Sequence, residues 1–101
     1  MIKVVVTKID SKIRKIEIKG HSNSAPEGED LICAGASTCF AGSLNALEEK
    51  DNFNFLYEKG NGMVEAKNEP SYHDELVLEV LVSQLSYLSN YYPKNLTIKI
   101  K

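Results

Sequence analysis

The order of strand and helix patterns predicts a two-layer α+β sandwich, ββαββαβ, with a mainly antiparallel sheet and two helices on one face. Three observations carry it. Two pairs of alternating apolar–polar segments are each joined by a short turn, as in antiparallel hairpins. Two further segments have helical apolar spacing, each opened by a capping residue. One alternating segment closes the chain, and helices laid on one face of such a sheet make two layers. At 101 residues, residues 1–101 form a single domain.

Ile2, Val4 and Val6 alternate with Lys3, Val5 and Thr7, a half-buried strand. Asp10-Ser11 supplies turn chemistry, and a second strand runs from Lys12 to Lys19 with Ile16 and Ile18 on one face. Gly20 to Asp30 is polar, rich in small residues and holds Pro26, so it is a loop. Gly20 and Gly28 give it hinge freedom, and mobility without a ligand is expected there. Asp30 is a good N-cap for a helix in which Ile32, Ala36, Cys39, Ser43 and Leu47 share one face. Its two interior glycines, Gly35 and Gly42, each cost about 1 kcal/mol relative to Ala. They imply close approach of another backbone, from the sheet or from a second subunit.

A second hairpin follows: Phe53, Phe55 and Tyr57 on one strand, a Gly60-Asn61-Gly62 turn, then Val64 and Ala66. The aromatic face is read first as core and second as a cleft wall. Ser71-x-x-Asp74 resembles a capping box for a helix with Val77, Val80, Leu81, Gln84 and Leu88 along its buried stripe. Pro93 stops it, and Leu96 to Ile100 form the last strand.

Composition excludes several functions. A net charge of −2 without a basic stripe gives no reason to expect nucleic acid or an anionic membrane as partner. No run of about 18 apolar residues spans a membrane. The alternating first ten residues lack a signal peptide's apolar run, so the expected compartment is the reducing cytoplasm. Cys33 and Cys39, six residues apart on one helix, lie roughly 9 Å apart along its axis. That exceeds the reach of a disulfide, about 7 Å between Cα atoms. His21, Cys33, Cys39 and His73 have no structural-zinc spacing, so no metal and no cofactor are expected.

The chemistry gathers between Gly20 and Ser37. Cys33 falls at the third position of a helix, where partial positive charge and unpaired N–H groups favour a thiolate. The same N–H groups are candidate oxyanion donors. The loop from His21 is long enough to return the imidazole to the sulfur, and a Cys–His pair activates a thiol near neutral pH. The bland alternatives are a buried structural thiol and a solvated loop histidine. Asp30 reads as cap first and as a partner for His21 second. Ser37, one turn past Cys33, reads as packing or as part of the site. Cys39 reads as core, and His73 as a surface residue.

Gly20-His21, then Gly28-Glu29-Asp30-Leu31-Ile32-Cys33-Ala34-Gly35-Ala36-Ser37, resembles the ribosomal-processing cysteine proteases, the Prp family. The likeness continues through Asn45-Ala46-Leu47 and fits the whole length and element order. It implies a cytoplasmic homodimeric endopeptidase. Such an enzyme removes an N-terminal extension from the twenty-seventh large-subunit ribosomal protein, with that precursor as its peptide substrate. By the same resemblance Cys33 is the nucleophile and His21 the base, with Gly20, Asp30 and Ser37 in supporting or substrate-binding positions. Ser22 and Ala36 depart from the residues common in that family, and both touch loop or substrate fit more than the dyad. A non-catalytic ribosome-associated module on the same fold would not need the dyad. A thiol redox or acyl-transfer protein would want a resolving cysteine better placed than Cys39.

Overall fold

In the computed structural model of the chain, residues 1–20 and 30–101 are described; His21 and the remainder of the expected mobile loop through residue 29 lie outside them. The elements run β1 (Ile2–Ile9), β2 (Lys12–Lys19), α1 (Leu31–Ala46), β3 (Phe53–Glu58), β4 (Asn61–Ala66), α2 (Tyr72–Tyr91) and β5 (Leu96–Ile100). The order is ββαββαβ, and the strands make one five-stranded sheet in the order β3-β4-β2-β1-β5.

Asp10 and Ser11 both adopt positive φ, 53° and 67°. This is the conformation that a tight hairpin between right-twisted strands demands, and short polar side chains tolerate it. The β1–β2 register shifts between Thr7 and Lys8, a bulge close to that turn. β3–β4 and β2–β4 are also antiparallel, while β5 pairs parallel to β1. The β3–β4 turn is tighter than expected, because Asn61 and Gly62 belong to β4. Both helices lie in crossovers, β2-α1-β3 and β4-α2-β5. These leave antiparallel strands in opposite directions, so right-handed crossovers put both helices on the same face.

The core sits between that face and the helices. Ile2, Val4, Val6, Ile16, Val64 and Leu96 meet Ile32, Ala36 and Phe40 of α1 and Leu78, Leu81 and Leu85 of α2. Three expectations shift in register. Phe40 takes the buried place on α1, while Cys39 and Ser43 are half-buried beside it, so Cys39 is packed at the margin of the core. On α2 the innermost line is Leu78, Leu81 and Leu85; Val80 is 55% exposed and Gln84 faces out. On β3 only Phe53 enters the core, because β3 is an edge strand whose far end is left uncovered. Phe55 and Tyr57 are exposed there.

The interior glycines of α1 do not answer to a neighbouring backbone of the described residues of this chain, so the sheet is not what they accommodate. A Cβ on Gly35 would meet only the Leu88 side chain, at 3.9 Å, and one on Gly42 would meet nothing within 4 Å. No helix among the described residues is long and apolar enough to cross a membrane.

Candidate active site

Cys33 is the third residue of α1, half-buried, with its thiol free of any disulfide. The cap is the one expected. Asp30 holds extended backbone angles, and its Oδ1 accepts the Cys33 N–H at 2.9 Å, while the Ala34 N–H bonds the Asp30 carbonyl at 3.0 Å. This arrangement fixes Cys33 on the first turn. It also commits the Cys33 N–H, so the set of first-turn oxyanion donors is smaller than expected by that one group.

Cys33 lines an open cavity of about 320 Å³. Ile2, Ile18, Ala36 and Phe40 give it an apolar floor; Ser37, exposed one turn along α1, lies on its wall. The end of β3 and the β3–β4 turn, from Tyr57 to Gly62, close the opposite side. Gly20 also lines it. Gly20 has φ of +98°, a Cβ there would collide with the Met1 carbonyl oxygen, and its N–H donates to the Gly60 carbonyl at 2.9 Å. Only glycine meets both conditions. The last described residue before His21 is therefore pinned between the chain start and the β3–β4 turn. Cys33, Ser37 and Gly20 share one cavity, with Asp30 behind Cys33; His21 lies outside the described residues.

A second polar cluster lies elsewhere. Asp74, fully buried, accepts the Glu48 N–H at 2.8 Å and the Glu49 N–H at 3.0 Å, tying the exit of α1 to the first turn of α2. Ser71 caps α2 through the Asp74 N–H. The capping-box pattern is thus half-realised, because the Asp74 carboxylate is spent on the other helix. His73 Nδ1 lies 2.9 Å from Asp74 Oδ1 and 3.8 Å from Glu48 Oε2. Burial pushes the Asp74 carboxyl up, but the hydrogen bonds from Glu48, His73 and Glu49 outweigh it and hold the group below its ordinary range. The hydrogen bond to Asp74 raises the His73 imidazole above its ordinary value, against desolvation and with help from the Glu48 and Asp74 charges. Glu48, His73 and Asp74 are the one group of candidate metal ligands among the described residues. The Asp74 oxygens are already committed to the helix junction. Sequence spacing missed this cluster because residues 48 and 73 meet only after α1 and α2 pack.

Comparison with known proteins agrees with this geometry. The protein family model Cysteine protease Prp matches residues 1–97. The ribosomal processing cysteine protease Prp of Staphylococcus aureus is 29% identical over 108 residues, covering all of both chains. A crystal structure of the essential S. aureus ribosomal processing protease Prp, with a covalently linked product peptide, superposes with a TM-score of 0.92. It is 25% identical, over all of both chains. A second S. aureus structure, with a substrate peptide, gives a TM-score of 0.79 at 24% identity, again over all of both chains. An α+β domain with a thiol outside any disulfide at a helix start, opening on a cavity, is what a cysteine peptidase requires, and this chain belongs to the cysteine protease Prp family.

Proposed function

We propose that this peptidase removes the N-terminal extension of the twenty-seventh large-subunit ribosomal protein in the cytoplasm, with Cys33 as nucleophile and His21 as its base. One observation carries the reading: among the described residues, the one thiol that lines the cavity beside the sheet stands at the start of a capped helix. The covalently linked product peptide of the S. aureus relative favours an enzyme that bonds its substrate.

The steps follow from these groups. His21 takes the Cys33 thiol proton, and the sulfur attacks the scissile carbonyl carbon. The imidazolium returns that proton to the leaving amine as the C–N bond breaks, leaving a thioester on Cys33. Water, deprotonated by His21, then attacks the thioester carbonyl carbon; the C–S bond breaks, the carboxylate product leaves, and the imidazolium returns the proton to the Cys33 sulfur. Ser37 contacts the bound chain one turn from the sulfur. Asp30 holds the turn on which Cys33 rides.

A homodimer formed through the outer faces of α1 and α2 belongs to the same reading. There a groove of about 490 Å³ runs between Thr38, Gly42 and Ala46 on one side and Leu76 and Val80 on the other. The glycine with nothing near it and the exposed Leu76 and Val80 make a hole and a ridge on one patch, as a two-fold contact needs.

The deciding experiment is incubation with the full-length ribosomal precursor from the same source, read by intact mass. The expected product lacks the extension, and Cys33→Ala yields none. An unchanged precursor mass with the wild-type enzyme rejects the proposed substrate. Light scattering of wild type against Val80→Asp reads the dimer separately.

A further inference from the structure

We propose that Tyr57 is a substrate-contacting, specificity-determining residue of the cleft, and that packing of Phe40 against Gly62 fixes its position. The inference rests on the reading of the Cys33 cavity as a peptide site. Ile98, Val4, Ile18, Gly62 and Tyr57 are successive partners across all five strands, so they form one row on the helix-facing side. Gly62 is the gap in that row. A Cβ there would stand 2.9 Å from Phe40 Cε2 and 2.9 Å from Ile18 Cγ2. The ring of Phe40, 1% exposed, fills the space that a side chain at position 62 would need.

Phe40 stands seven residues after Cys33, two turns along the same face of α1. From the gap its ring meets Tyr57 edge to face, with centroids 5.8 Å apart and planes at 70°. Tyr57 is 57% exposed and lines the same cavity as Cys33. One edge of its ring is thus held by the core while the rest is open to whatever lies in the cleft. A glycine inside a strand weakens that strand relative to Ala. Its return here is a tyrosine held at a set height over the floor of the cavity.

The probe is a fluorescein-labelled peptide spanning the junction between the precursor's N-terminal extension and the mature protein, titrated by anisotropy onto Cys33→Ala protein, which binds without cutting. In that background Tyr57→Ala is expected to raise Kd about tenfold and Tyr57→Phe less than about twofold. Gly62→Ala, which forces the Phe40 ring to move, is expected to raise Kd about threefold alone and to add nothing once Tyr57 is Ala. Thermal melts confirm folding, and the Tyr57 arm stands by itself if Gly62→Ala does not fold. An unchanged Kd in Tyr57→Ala overturns the proposal, as does the lack of any saturable binding. Equal weakening by Gly62→Ala in both backgrounds overturns the positioning role. Whether the wild-type enzyme cuts this peptide is read separately by mass, so loss of the protease reading is distinguishable from loss of this one.

Discussion

Asp30 accepts the Cys33 N–H at 2.9 Å, so the residue that starts α1 also holds the turn that carries the thiol. Asp30→Ala removes the cap and is expected to lower stability by about 1 kcal/mol. Asp30→Asn keeps an acceptor and is expected to keep most of that stability. If Asp30 acts only as a cap, peptidase activity follows stability across the two variants. If it also orients His21, the Asn variant loses turnover while its melting temperature stays near wild type. Chemical melts paired with kcat for both variants separate these outcomes.

Both thiols pack at the margin of the core, but they line different cavities: Cys33 the one beside Ser37 and Gly20, Cys39 the groove between α1 and α2. Cys33→Ala is expected to abolish cleavage and leave the fold intact, because a thiol on the first turn of a helix contributes little packing. Cys39, packed at the core margin, is expected to lose about 1 kcal/mol of stability on truncation to Ala and to retain activity. Cleavage by Cys33→Ala at the wild-type rate would end the assignment of the nucleophile.

The helix junction predicts a pH dependence of stability. The folded His73 pKa is raised above its ordinary 6.5, so its contribution is complete below about pH 6.5 and is lost as pH rises through the folded value. The folded Asp74 pKa is lowered below 3.8, so its contribution is present above that pH and is lost as pH falls through the folded value. Wild type should therefore lose its advantage over His73→Gln as pH rises from 6 to 9. A stability difference that is flat over this range would show that the imidazole does not work through its proton.

Selectivity should reside in the cleft walls. Efficient cutting of an extended peptide from the precursor and negligible cutting of casein are expected. Ser37→Ala should reduce turnover less than Cys33→Ala does, since under the proposed mechanism it removes a positioning contact and not the nucleophile. Casein digestion at a rate comparable to that of the precursor peptide would remove the selectivity argument, even with Cys33 as nucleophile.

Much of this protein was legible in residue order. Strand alternation, the Asp10-Ser11 turn, the Asp30 and Ser71 caps and the stop at Pro93 depend on interactions within a few residues, so local chemistry determined them. The placement of Cys33 at a helix start followed from the Asp30 cap alone. Tertiary packing decided what periodicity left open. A helix period of 3.6 leaves neighbouring faces nearly equal in apolar content, and contact with the sheet chose Phe40 over Cys39 and the line of Leu78, Leu81 and Leu85 over Val80. Strand order made β3 an edge, which exposed Phe55 and Tyr57 although their alternation matched that of a covered strand. Glu48 meets Asp74 and His73, and Gly62 meets Phe40, across long stretches of chain. Such contacts have no local signature, because the partner of each residue is set by how helix and sheet dock and not by its neighbours in sequence.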